Sequence, residues 1–172
     1  MGGALKGGEL AVGDTIMIHP GLMVNGKVTP IETKIDEIQS EFGSEKKVGR
    51  GITIGVRTTL DPSLTRSDSL AGSLVVKGDI KPIVSDRFVM EYEPLMDKEK
   101  SLFKRPLQKN EEVLINILAG KSIGVVTEVR NNKVKIVLNN NMVLPFFNGD
   151  KVIVSRKIDN IWYLAGSGKI TI

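Results

Sequence analysis

Short runs of alternating or β-branched residues recur along this sequence, and each run is bounded by Gly, Asn, Asp or Pro. This pattern is typical of an antiparallel all-β protein, because strand side chains alternate between two faces and tight turns need residues that tolerate special backbone angles. Helix signals are nearly absent. The predicted strands are Thr15–His19, Ile31–Ile38, Gly51–Val56, Ser73–Val76, Arg87–Glu93, Glu112–Leu118, Ile123–Val129, Lys133–Leu138, Lys151–Lys157 and Trp162–Ile172.

Two local signals refine this pattern. The pair Asn131-Asn132 predicts a two-residue hairpin turn, since Asn tolerates the positive φ that such turns require. The stretch Asp61–Leu70 predicts a short helical turn that begins at Asp61 or Pro62.

The chain divides near Gly78–Pro82, where Gly, Asp and Pro interrupt two strand-like runs. We therefore predict two domains, residues 1–80 and 81–172. Residues 1–80 hold 9 basic and 10 acidic side chains, and residues 81–172 hold 15 and 10, so the halves carry −1 and +5. The second half is the better candidate to face RNA, although ordinary surface scatter explains any single basic residue equally well. The polar, Lys-rich segment Pro94–Asn110 predicts a long exposed loop.

Composition excludes several classes of protein. No apolar run approaches the roughly 18 residues of a membrane span, and the N-terminus lacks the layout of a signal peptide, so we expect a cytoplasmic protein without membrane contact. The absence of cysteine excludes disulfides and thiolate metal sites.

No catalytic arrangement is visible. The triplet Gly120-Lys121-Ser122 resembles the end of a phosphate-binding loop, but Ile115 occupies the position of the required first Gly. No DxxG or NKxD pattern of a GTPase occurs. The single histidine, His19, has no neighbouring metal ligands, so we interpret it as a strand-end or turn residue.

Three segments resemble one family. The Gly-rich opening, residues 2–14, followed by Ile16–Gly21, resembles the start of the second domain of translational GTPases. The stretch GVRTTLDPSLTRSDSLAG at residues 55–72 is similar to a long signature of the gamma subunit of translation initiation factor 2. Residues 154–170 resemble the final strands of that subunit, except that Lys157 and Tyr163 stand where the family usually carries Arg.

The resemblance implies a fold. It implies two consecutive antiparallel β-barrels of the translation-factor type, without the family's GTPase domain and without the opening strand of the first barrel. Because an incomplete barrel exposes two strand edges, we expect residues 1–80 to be less stable than residues 81–172.

The resemblance also implies a function. The family's intact gamma subunit carries methionylated initiator tRNA to the small ribosomal subunit and forms a heterotrimer with alpha and beta subunits. This chain would contribute alpha-subunit docking and part of the aminoacyl-tRNA surface. GTP and Mg, and the beta subunit, would bind the GTPase domain. We therefore expect neither enzymatic activity nor a cofactor in this chain.

Candidate tRNA contacts are three arginines and two glycines: Arg50, Arg57, Arg66, Gly49 and Gly51. Residues 49–51 and Arg57 match the region that faces the aminoacyl end in a related elongation factor, and a guanidinium can pair with phosphate and stack on a base. The alternatives are that Arg57 pairs with Asp61 within the barrel and that the glycines form a β-bulge.

The candidate surface for the alpha subunit is the loop Gly21–Thr29. It carries three apolar side chains before a turn, and the predicted contacts are Leu22, Met23, Val24 and Asn25. In the alternative interpretation this loop folds back on its own barrel.

The sequence is also compatible with two other functions. The chain could be the tail of a GTPase whose nucleotide-binding domain is encoded upstream, or a stand-alone pair of RNA-binding barrels with salt-sensitive affinity for RNA.

Overall fold

The computed structural model describes residues 1–24, 27–95, 105–140 and 142–172. The structure is almost entirely β, which confirms the predicted fold class. The chain forms two compact units, Met1–Lys81 and Pro82–Ile172, called here the N-terminal and C-terminal units. Among the described residues, no helix has the length and apolar character needed to cross a membrane.

The described part of the N-terminal unit contains eight strands and one 3-10 helix. The strands are β1 (Gly2–Ala4), β2 (Glu9–Ala11), β3 (Thr15–Val24), β4 (Lys27–Ser40), β5 (Gly43–Glu45), β6 (Lys47–Gly49), β7 (Thr53–Thr58) and β8 (Leu74–Lys77). The 3-10 helix covers Pro62–Asp68, and the side chain of Asp61 caps it by accepting from the Ser63 N–H at 2.8 Å. The predicted helical turn is thus confirmed.

The main sheet of this unit is open. Its strands follow the order β1-β7-β4-β3-β8, with β5 paired to β4, and a separate ribbon joins β2 to β6. The core is small. Its buried cluster contains Ile16, Ile35, Ile38, Val48 and Ile54, and the partly buried Met1, Leu5, Leu10, Ile52 and Val56 pack against it; Ile18 and Val76 are also buried.

Eight strands also lie in the described residues of the C-terminal unit. They are β9 (Ile83–Ser85), β10 (Arg87–Pro94), β11 (Glu112–Ile117), β12 (Gly120–Arg130), β13 (Lys133–Leu138), β14 (Leu144–Phe146), β15 (Lys151–Ile158) and β16 (Ile161–Thr171). Six of them close a barrel in the order β10-β13-β12-β11-β15-β16, and β9 pairs with β14 outside it. The turn between β12 and β13 is the predicted Asn131-Asn132 pair, with Asn131 at φ 54°.

The barrel buries a larger core. Phe88 and Phe146 meet edge to face within it, with ring centroids 5.8 Å apart. Gly166 and Gly168 allow β16 to approach β10, because a Cβ at either residue would lie 2.4 to 2.6 Å from a carbonyl oxygen of that strand. The buried cluster comprises Phe88, Met90, Tyr92, Leu107, Val113, Ile115, Ile117, Val126, Val134, Ile136, Leu138, Leu144, Phe146, Val152, Val154 and Ile170.

We expect this difference to appear in amide hydrogen exchange. The N-terminal unit has the smaller core and an open sheet, so its strands should open at lower free energy than those of the closed barrel. Exchange of β3 and β4 should therefore be faster than that of β11 and β12, followed by mass spectrometry under native conditions. Equal protection of the two strand pairs would contradict the expectation.

Candidate partner-binding and RNA-binding surfaces

The first candidate surface is the distal end of the β3–β4 hairpin. Leu22, Met23 and Val24 pair with Thr29, Val28 and Lys27 in an extension of the two strands. Their side chains are 36%, 61% and 48% exposed. The segment is therefore an extension of the hairpin with its apolar side chains open to solvent, and not a loop folded over the unit's core. Asn25, predicted as part of this surface, lies outside the described residues.

A β-bulge sets the direction of this extension. The register shifts between Ile18 and Leu22, and Gly21 stands in the bulge with φ +91°. A Cβ at Gly21 would lie 1.9 Å from the Thr29 carbonyl oxygen, so only glycine fits. The bulge redirects β3 immediately before its exposed apolar residues.

His19 lies buried in the same bulge, with 8% of its surface exposed. Its Nδ1 has no hydrogen-bond partner among the described residues. Burial lowers the pKa of His19 from its ordinary value of 6.5, because desolvation disfavours the charged imidazolium. The histidine is a structural residue in the middle of a long strand, not the strand-end or turn residue that we predicted.

This burial predicts a pH dependence of stability. Below pH 6.5 the unfolded chain binds a proton at His19 before the folded chain does, so the unfolded state gains protons and the N-terminal unit loses stability as the pH falls. The loss stops once the pH is below the folded pKa. Thermal unfolding followed between pH 5 and 8 should show this decline, and H19L, which removes the only histidine, should abolish it. An unchanged decline in H19L would assign the effect to other groups.

The predicted tRNA contacts lie on three segments of the N-terminal unit. Arg50 is exposed in the turn between β6 and β7, Arg57 lies on β7, and Arg66 is exposed on the 3-10 helix. A Cβ added at Gly49 or Gly51 would meet nothing within 4 Å, so the backbone around Arg50 is open to a close approach. Gly51 also has φ +93°, which the turn itself requires.

The suggested pair between Arg57 and Asp61 is wrong. The Arg57 guanidinium lies 3.1 Å from Glu37 Oε2 instead, and its side chain remains 70% exposed. Asp61 is engaged with the backbone N–H of Ser63, and this hydrogen bond lowers the pKa of its carboxyl group. Arg57 is thus held by a cross-strand partner on β4 and still faces solvent.

Arg156 and Lys157 point to opposite faces of β15. Arg156 is buried and donates to Glu111 through Nε and Nη2 at 2.5 and 3.1 Å, while Nη1 donates to the Arg105 carbonyl at 2.8 Å. Lys157 is exposed, and its Nζ lies over the Trp162 ring, 5.7 Å from the ring centroid. The Arg156–Glu111 pair could not be predicted, because its partners are 45 residues apart in the chain.

The GKS triplet lies in a hairpin. The strand β11 ends at Ile117, and β12 begins at Gly120, so Lys121 and Ser122 are strand residues. The turn between the strands is Leu118-Ala119, so β12 begins three residues before the predicted strand start at Ile123. Among the described residues, no group of three His, Cys, Asp or Glu side chains could hold a metal ion.

The family of this chain is shown by its similarity to known proteins. Residues 85–170, half of the chain, match the family model "Initiation factor eIF2 gamma, C terminal". The chain belongs to the initiation factor 2 gamma family. The translation initiation factor 2 subunit gamma of Methanococcus maripaludis is 36% identical over 99% of this chain, and that of Thermococcus kodakarensis is 32% identical over 99%. The chain spans 43% of the length of either relative.

The fold is shared with solved elongation factors. Translation elongation factor SelB from Methanococcus maripaludis aligns with 99% of this chain at a TM-score of 0.74 and 18% identity, and the chain covers 39% of SelB. A bacterial selenocysteine-specific elongation factor aligns with 94% of the chain at a TM-score of 0.68 and 14% identity. Identities this low show the fold alone, and the initiation factor 2 gamma family is indicated by sequence.

Proposed function

We propose that this chain is a non-enzymatic binding module of translation initiation in the cytoplasm. It docks the alpha subunit of initiation factor 2 through the β3–β4 hairpin and contributes to the surface that holds methionylated initiator tRNA for delivery to the small ribosomal subunit. Nucleotide chemistry with GTP and Mg, and contact with the beta subunit, belong to the GTPase domain of the family.

The observation that carries the docking role is the exposed apolar end of the hairpin. Leu22, Met23 and Val24 are consecutive on a paired strand, with Leu22 and Val24 on one face and Met23, the most exposed of the three at 61%, on the other. Preformed apolar side chains on a rigid element contribute more to association than flexible ones, because little conformational entropy is lost on binding. Their burial against a partner would remove this apolar surface from water.

The test is calorimetric titration of the chain with the C-terminal domain of an archaeal alpha subunit. We expect binding that M23S weakens about tenfold, the effect of losing a contact worth about 1.4 kcal/mol. The matched control is F42S, which removes another exposed apolar side chain, 79% exposed, in the β4–β5 turn. Absence of binding by the folded chain, or equal weakening by F42S, would contradict docking at the hairpin.

The tRNA role is supported by the solvent-facing arginines of the N-terminal unit. Arg50 and Arg66 are exposed, and Arg57 keeps most of its side chain in solvent despite its contact with Glu37. Binding of methionylated initiator tRNA by the wild-type chain and by an R50A/R57A/R66A variant, measured by gel shift, tests this part separately. Equal affinities would remove these residues from the tRNA surface.

A further inference from the structure

The methionines of this chain differ widely in their access to solvent. Of those that the structure describes, Met90 is fully buried in the C-terminal barrel, and Met1 and Met17 are half-buried. Met142, which precedes β14, is 45% exposed, and Met23 is the most exposed at 61%. A thioether sulfur reacts with a peroxide only where the oxidant can reach it, so Met23 is the preferred target among them.

Met23 also lies where a change of polarity alters a surface and not a core. Its register partner is Val28, so these two side chains share one face of the β3–β4 hairpin, while Leu22 and Val24 occupy the other face. The bulge at Gly21 separates this end of the hairpin from the buried residues of β3. An additional oxygen on the Met23 sulfur would therefore meet solvent in the free chain and leave the core of the unit intact.

We propose that Met23 is a reversible oxidation site that controls docking at the hairpin. The inference rests on the docking role proposed above and adds a regulation of that same surface. In the reduced form the apolar side chain is buried against the partner. The sulfoxide brings a polar S=O group into that contact, and burial of an unsatisfied polar group costs free energy, so the oxidised chain docks weakly.

The oxidant is hydrogen peroxide, and the reaction needs no other reagent. A lone pair of the thioether sulfur attacks one peroxide oxygen, and the S–O bond forms as the O–O bond breaks. The proton of the transferred oxygen passes to the leaving oxygen, which departs as water. Sulfur loses two electrons and the peroxide gains two. Methionine sulfoxide reductases reverse the change, one enzyme for each sulfoxide epimer, while two thiols are oxidised to a disulfide and one water is released.

Docking and oxidation exclude each other at this sulfur. A partner that covers the Met23 side chain removes it from solvent, so the free chain is the form that reacts and the assembled chain is protected. Met142 belongs to the C-terminal unit and lies outside the docking surface. Its oxidation should not change when the partner binds, so the two methionines provide a test site and an internal reference in one chain.

The test treats the whole chain with hydrogen peroxide, removes the peroxide, and titrates the chain calorimetrically with the C-terminal domain of an archaeal alpha subunit. Peptide mapping by mass spectrometry should show oxidation of Met23 before that of Met142. We expect the oxidised chain to bind at least about tenfold more weakly than the untreated chain, because a polar group is buried without a partner. Treatment with both sulfoxide reductases should restore the affinity.

Two leucine variants separate Met23 from the other methionines. M23L keeps an apolar side chain of similar volume without the sulfur, so it should bind like the untreated chain before and after peroxide. The matched control M142L should lose affinity on oxidation as the wild-type chain does. Peroxide added in the presence of the alpha-subunit domain should oxidise Met23 more slowly and Met142 at an unchanged rate.

The outcomes distinguish the inference from the docking role. Absence of binding by the untreated chain would overturn the docking surface and the inference with it. Binding by the untreated chain that persists unchanged after complete oxidation of Met23 would overturn the inference alone. An equal loss of affinity in peroxide-treated M23L would assign the effect to another residue. Loss of the β-sheet signal in circular dichroism of the oxidised chain would also overturn it, because the target is the surface and not the fold.

Discussion

E111A is expected to lower the free energy of unfolding of the C-terminal unit by about 3–5 kcal/mol. The substitution removes the carboxylate that accepts from Nε and Nη2 of the buried Arg156 guanidinium, whose side chain is 3% exposed. It also removes Glu111 Oε2, which accepts a 3.0 Å hydrogen bond from the Gln108 N–H. The loss of this bond releases the chain that leads into β11. Removing one member of a buried charge pair costs far more than the intact pair contributes, because the remaining charge loses a partner that offset its desolvation.

Urea denaturation followed by the fluorescence of Trp162, the only tryptophan, reports on this unit. The matched control is E128A, which breaks the exposed pair with Arg130 and should cost less than about 1 kcal/mol. E111L/R156M, which replaces both charges with apolar side chains, should recover much of the loss. If E111A costs no more than E128A, the buried pair does not stabilise the barrel.

F146A is also expected to have a large effect. It should lower the free energy of unfolding of the C-terminal unit by about 3–5 kcal/mol. Phe146 is 2% exposed and packs edge to face on Phe88, so its truncation removes apolar burial and an aromatic pair and leaves a cavity in the core. Differential scanning calorimetry should show a lower transition temperature for the C-terminal unit.

The control for F146A is F42A, the same substitution at a side chain that is 79% exposed. It should change stability by no more than about 0.5 kcal/mol. Equal shifts for the two variants would mean that Phe146 is not buried in the folded unit in solution.

The long strands were predictable because their alternation extends over enough residues to be recognised. The strand β13 was predicted with its observed ends, Lys133 and Leu138, and the Asn131-Asn132 turn before it carries its own signal. The strands β1, β2, β5, β6, β9 and β14 were missed, because each has three residues and three residues define no period.

The contacts between distant segments could not be predicted. Arg156 meets Glu111 only after β15 has paired with β11, and Arg57 meets Glu37 only after β7 has paired with β4. Whether Leu22, Met23 and Val24 dock the alpha subunit remains a prediction.

The pairing of β10 with β16 affects how the chain folds while it is being synthesised. Tyr92 on β10 donates its hydroxyl to the Ala165 carbonyl on β16, and the two residues are 73 positions apart. At about 5–20 residues per second, a ribosome needs roughly 4–15 s to make the intervening chain. During that interval one edge of β10 has no partner to pair with. The newly made chain therefore carries an open strand edge, which a chaperone or another nascent chain can reach, until its last strand emerges.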